Sequence, residues 1–186
     1  MKILLIEDMS GFAKPIKEFL EAKGHIVTWV IGATSLDSNR MIGITASPAA
    51  TAMEDSWDGN AARLVDLDLV GFELALVDGG LIGPVNDGID FVRALSALGV
   101  VCVAISGAGA GNPRLLQAGA RIDVPKEFVI LAFRAQRLDP TSAVTDPEGT
   151  ARAVRSHTEA LRAEVHLSRQ RQERFDYGIP FLAELT

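Results

Sequence analysis

The chain has 186 residues, 48% of them hydrophobic, which suits one domain with an appendage and argues against wholesale disorder. Its 24 acidic residues against 18 basic ones give a net charge of −6, which argues against a surface built for non-specific nucleic-acid binding and leaves room for a local basic patch. A single cysteine, Cys102, excludes a disulfide framework within the chain and fits a reducing compartment.

The chain opens on a strand-like run, Ile3 to Ile6, that closes on Glu7-Asp8. This run is too short, and too acidic at its end, for a signal peptide. No later stretch approaches the roughly 18 apolar residues of a membrane span, so a cytoplasmic protein without a membrane partner is expected. Phe12, Ile16, Phe19 and Leu20 then form a helical stripe, with Gly24 as its stop. A weaker strand follows, from Ile26 to Val30.

Residues 33–68 fit the alternation less well. They are rich in small residues and contain Trp57-Asp58-Gly59-Asn60, which reads as a loop or insertion before a helix from about Asn60 to Leu67. A structureless loop of that length is uncommon in a compact domain, so part of it is expected to be ordered.

Beyond it the alternation resumes. The run Leu74 to Val77 closes on Asp78, and a stripe of Ile89, Val92, Leu95 and Leu98 closes on Gly99. The run Val100 to Ile105 closes on Ser106, and Leu115-Leu116 before Gly119 marks a short helix. A fifth strand, Ile122 to Val124, precedes Lys126, and Phe128, Leu131 and Phe133 begin another helix. Short apolar runs without alternation suit strands buried on both faces. Strands alternating with helices predict an α/β fold, a doubly wound, five-stranded parallel sheet with helices on both faces.

After Leu138 the character changes. Asp139-Pro140-Thr141-Ser142 reads as a turn, and Asp146-Pro147-Glu148 starts a helix that runs on to about Arg174. The division is therefore residues 1–137 as the main domain and residues 138–186 as a helical extension. In the extension, Arg152, Arg155, Arg162, Arg169, Arg171 and Arg174 alternate with Glu148, Glu159, Glu164 and Glu173, a mixed, solvated face. Its length and composition are too small for a helix-turn-helix output, so no DNA-binding output is expected. The extension is expected to pack on the domain, pair with a second copy in a homodimer, or dock a partner.

In a doubly wound sheet, ligands bind outside the carboxyl ends of the strands. Glu7, Asp8, Asp78 and Ser106 end the three strongest runs, and Lys126 follows the fifth strand to the same edge. Crowded carboxylates raise one another's pKa and call for a cation, and an oxygen-only donor set suits Mg²⁺. Beside such a cation an aspartate is a competent nucleophile toward a phosphoryl group. Lysine adds a second positive charge to the transferred oxygens, and a serine hydroxyl donates a hydrogen bond to them.

These five positions resemble the response-regulator receiver family. That family carries an acidic pair after its first strand and an accepting aspartate after its third. Ser or Thr follows its fourth strand, and Lys its fifth. Asn86-Asp87-Gly88-Ile89-Asp90 is similar to the family's approach to its third helix, and Gly119-Ala120 to its Gly-Ala before the fifth strand. The resemblance covers roughly residues 2–137 apart from the insertion.

It implies phosphorylation of Asp78 by a histidine kinase or phosphotransfer protein, with Ser106 and Lys126 assisting. It implies Mg²⁺ held by Asp8, Asp78 and the backbone carbonyl of Gly80, with Glu7 bound directly or through water. It also implies output through a downstream protein partner, in a phosphoprotein whose only chemistry is self-catalysed phosphoryl transfer to Asp78 and its hydrolysis. The chain departs from the family in having Asp123 at the usual aromatic switch position and Glu127 where proline usually follows the lysine. Proline stands later than usual after Asp78, at Pro84.

The departures raise a second reading, a receiver that binds its partner constitutively. A third reading is a Mg²⁺-dependent aspartyl-phosphate phosphatase of the haloacid-dehalogenase type. It lacks its Asp-x-Asp pattern here, because Met9-Ser10 follows Asp8. His25, His157 and His166 are scattered and are expected at the surface, and Trp29 and Trp57 are expected to pack.

Overall fold

The computed structural model describes residues 1–45, 63–81, 83–85, 87–107 and 111–176, with side chains of the last helix described through His166. Expectations that fall on Trp57, Asn60, Asn86, residues 108–110 and the side chains of Arg169, Arg171 and Arg174 lie outside the described residues.

The chain runs β1 (Lys2–Ile6), α1 (Ser10–Ala22), β2 (Ile26–Val30), β3 (Gly32–Leu36), β4 (Arg40–Thr45), β5 (Arg63–Asp68) and β6 (Leu74–Val77). It continues with α2 (Gly88–Ala97), β7 (Val101–Ala104), α3 (Gly111–Ala118), β8 (Ile122–Asp123), α4 (Val129–Arg134), α5 (Pro140–Thr145) and α6 (Pro147–Asp176). Five strands form the predicted parallel sheet in the order β2-β1-β6-β7-β8. With the inserted strands set aside this is the flavodoxin-like order 2-1-3-4-5, whose topological switch point lies between β1 and β6.

Alternation along β1 sorts the core into two layers. Ile3 and Leu5 face α1, α4, Leu138, Ala143 of α5 and Val154 of α6. Leu4 and Ile6 face α2 (Phe91, Val92, Leu95), Leu115 of α3, and Ala33 and Met41 of the inserted strands. Val154 is fully buried in the same core as α1, so the start of α6 is part of the main domain's packing. Burying that side chain contributes about 1.5–3 kcal/mol.

The expected helix over 60–67 is corrected: residues 63–68 are the strand β5. It is the outer strand of an antiparallel sheet ordered β3-β4-β5. Val65 and Leu67 pack toward the core while Leu64, Asp66 and Asp68 face out, a period of two. Asp37-Ser38-Asn39 turns β3 into β4, and the Asp37 N–H closes the turn on the Arg40 carbonyl at 2.8 Å. This small sheet covers the face of the parallel sheet that also carries α2 and α3.

The stretch read as a turn at 139–142 is a helix start. The Asp139 carboxylate accepts the Ser142 N–H at 2.8 Å as the N-cap of α5, with Pro140 in the first turn. Asp146 does the same for α6 through the Gly149 N–H at 2.9 Å. His25 and His157 are half-buried rather than on the open surface, and His25 Nδ1 and His157 Nε2 are enclosed without a hydrogen-bond partner. Among the described residues no helix is long and apolar enough to cross a membrane.

Candidate functional site

Register brings the site together. Ile6 stands level with Val30 and Val77, Val77 with Ala104, and Ala104 with Asp123. The ladder continues one step past the strands: Asp78 N–H donates to the Ile6 carbonyl at 2.9 Å and Ile105 N–H to the Val77 carbonyl at 3.0 Å. Glu7 and Asp78 therefore leave neighbouring strands side by side, at the switch point.

Glu7, Asp8 and Asp78 each offer one oxygen to a cluster whose three atoms lie within 4.8 Å of one another. Glu7 is fully buried, Asp78 nearly so and Asp8 half-buried. Lys126 enters from the far end of the sheet. Its ammonium donates to Asp78 Oδ2 at 2.7 Å and to Glu7 Oε1 at 3.0 Å. Glu7 Oε2 lies 2.9 Å from the same nitrogen, outside hydrogen-bond geometry, and is otherwise enclosed without a partner. The other Asp78 oxygen accepts the Gly79 N–H at 2.7 Å.

The charges respond to this crowding. Burial, with the Asp78 charge adding to it, pushes the Glu7 carboxyl up to about 7 against the opposing pull of its bond to Lys126. Burial and then the Asp78 charge raise Asp8 as well. For Lys126, burial opposes the charge, but bonds to Asp78 and Glu7 outweigh it and hold the ammonium above its ordinary value.

Three carboxylates and one ammonium leave a net charge of two minus when all are ionised, which a divalent cation balances. The donors are all oxygens, the set that Mg²⁺ takes, and each of the three carboxylates offers one to the cluster. The residues present therefore fit Mg²⁺.

The loop after Asp78 closes tightly. Gly80 pairs with Asp87, and the Gly88 N–H donates to the Gly79 carbonyl at 3.2 Å. A Cβ on Gly88 would stand 2.0 Å from the Asp78 carbonyl oxygen, so only glycine lets α2 start here. The Asp87 carboxylate caps α2 through the Ile89 N–H and also meets Arg114, each at 3.0 Å. On its outer side the loop is pinned to the inserted sheet, with the Val85 N–H donating to the Ala33 carbonyl at 3.1 Å.

Ser106 lies half-buried at the end of β7. Its N–H donates to Asn112 Oδ1 at 2.7 Å, and its carbonyl accepts the Lys126 N–H at 3.2 Å. Ser106 is thus held on both sides through its own main chain.

The structure brings together Glu7, Asp8, Asp78 and Lys126, with Gly80 in the flanking loop and Ser106 tied to the Lys126 backbone. Sequence reasoning missed three contributors. Asn112 holds Ser106, and the Phe12 ring lies 5.3 Å below the Lys126 ammonium. The Trp29 indole N–H donates to the Glu7 carbonyl at 2.7 Å, beside the carboxylates as well as in the core. No motif marks Asn112 or Trp29; an aromatic on the first turn of α1 below the strand ends was the available sign of Phe12.

The fold and site define a doubly wound α/β domain with an acidic cluster and a lysine at the switch point. No protein-family model matches the chain, and no curated protein matches it. Solved structures do match. A two-component response regulator from Clostridium difficile is 15% identical, over 78% of this chain and 95% of that one, with a TM-score of 0.46. The receiver domain of a sensor histidine kinase from Pseudomonas aeruginosa, described with magnesium in its active-site cleft, is 20% identical over 73% and 93%, with a TM-score of 0.45. A receiver domain from Leptospira biflexa is 22% identical over 74% and 95%, with a TM-score of 0.42.

Proposed function

We propose that this chain is a response-regulator receiver that accepts a phosphoryl group on Asp78 from a histidine kinase or phosphotransfer protein. The observation that carries the reading is the Lys126 ammonium bridging Asp78 and Glu7 inside a three-carboxylate cluster at the switch point. Glu7, Asp8, Asp78 and the Gly80 carbonyl would hold Mg²⁺. When bound there, the metal supplies positive charge to the oxygens of the group being transferred.

In the transfer an Asp78 carboxylate oxygen forms a bond to phosphorus, and the bond from phosphorus to the donor's leaving group breaks. The electron pair of that bond departs with the donor. Lys126, already 2.7 Å from one Asp78 oxygen, turns its donors to the incoming oxygens. The Ser106 hydroxyl donates to a further oxygen. The chemistry ends with self-catalysed hydrolysis, and the output is protein–protein interaction. Incubation with acetyl phosphate and Mg²⁺, read by intact mass with Asp78→Asn as control, tests the reading.

Two observations favour a second reading, a receiver that binds its partner constitutively. Asp123 occupies the end of β8 in place of an aromatic switch, and the Asp78 loop is tied to the inserted sheet through Val85. On that reading Asp78→Asn leaves partner binding unchanged.

A further inference from the structure

Ser106 links Lys126, just past β8, to the first turn of α3. Its carbonyl is taken by the Lys126 N–H at 3.2 Å and its N–H by the Asn112 carbonyl oxygen at 2.7 Å. Asn112 is 8% exposed, so water does not readily replace this acceptor. Its side-chain oxygen thus serves a main-chain donor in another element. An asparagine in the first turn of a helix ordinarily serves its own helix's N–H groups. Here it reaches back to the residue that follows Ile105 at the carboxyl end of β7.

We infer that Asn112 is a positioning residue for phosphoryl transfer, fixing the Ser106 peptide so that its hydroxyl stands ready for a phosphoryl oxygen on Asp78. The inference rests on the receiver reading and extends it to a residue outside the cluster. Asn112 acts only through Ser106. It holds the N–H side of the residue while Lys126, whose side chain reaches Asp78, holds the carbonyl side. Losing Asn112 leaves Ser106 tied on one side, free to swing about that contact. The placement of Ser106 rests on these two contacts, one on each side of the residue.

The test is a double-mutant cycle on the rate of phosphorylation by acetyl phosphate with Mg²⁺, using Ser106→Ala, Asn112→Ala and the double variant of the full chain. Asn112→Ala slows the reaction when Ser106 is present, by no more than Ser106→Ala does. In the Ser106→Ala background it changes the rate by less than about twofold. Asn112→Ala also leaves the Mg²⁺ affinity of the resting protein unchanged, because Asn112 bonds to no carboxylate of the cluster.

A purely structural residue would slow both backgrounds by the same factor, and that result would overturn the inference. So would an Asn112→Ala protein as fast as the parent. Should Asn112→Ala fail to fold, Asn112→Ser, which keeps a shorter-reaching acceptor, gives the same comparison. If the parent protein takes up no phosphoryl group, the receiver reading itself fails. If the parent reacts and the cycle is additive, only the role of Asn112 fails.

Discussion

Lys126 and Asp78 meet at 2.7 Å although 48 residues separate them, because β6 and β8 end at the same edge of one parallel sheet. The ammonium reaches Glu7 as well, so one lysine from the edge strand compensates two buried carboxylates from the two central strands.

Removing the lysine leaves buried charge without a partner. Lys126→Met is expected to lower stability by about 3 kcal/mol at pH 8, measured by urea denaturation. At pH 5 the loss is smaller, because Glu7 then binds a proton and one of the two stranded charges disappears.

The pH dependence of the metal-free protein has a definite sign. Burial raises Glu7 from its ordinary value to about 7, so the folded state binds a proton that the unfolded state releases between about 4.5 and 7. The contribution of Glu7 to stability is therefore complete below about 4.5 and lost as the pH rises through 7. Comparing the native protein with Glu7→Gln by urea denaturation at pH 5 and pH 8 isolates the effect, expected on the order of 2 kcal/mol. Mg²⁺ affinity runs the other way and strengthens through the same window, because the cation must displace the Glu7 proton.

Gly88 is the steric condition of the acceptor loop. A Cβ there meets the Asp78 carbonyl oxygen at 2.0 Å, a backbone contact that no rotamer relieves. Gly88→Ala is expected to cost about 1–3 kcal/mol and to slow phosphorylation of Asp78 beyond what that stability loss accounts for. Denaturation and the acetyl phosphate assay on the same variant check both parts.

The loop's outer tie is open to hydrogen exchange. The Val85 N–H bonded to Ala33 is expected to be protected in the resting protein. Gly83 has φ of +108° and lies against the Ala33 carbonyl, so Gly83→Ala strains the loop and speeds exchange at Val85.

Much of this arrangement was legible in the sequence because the three inner parallel strands, β1, β6 and β7, announce their ends. Ile6, Val77 and Ile105 are followed by Glu7, Asp78 and Ser106, and burial on both faces forces the apolar runs that make those ends visible. The inserted sheet was hidden by two ambiguities. Leu64 and Leu67 stand three apart, which mimics a helical stripe, while the actual inward pair is Val65 and Leu67. Gly32 to Ser35 are small residues that read as loop until Met41 and Ile44 are seen paired beside them. Asn112 was hidden for another reason. Its partner is a main-chain N–H, and a main-chain partner leaves no trace in residue type.

The central claim is that Asp78 accepts a phosphoryl group with the help of Mg²⁺. Intact mass after incubation with acetyl phosphate and Mg²⁺ tests it most directly. One added phosphoryl group is expected, absent without Mg²⁺ and absent in Asp78→Asn. A folded protein that stays unmodified with Mg²⁺ present, or an adduct that persists in Asp78→Asn, would contradict it.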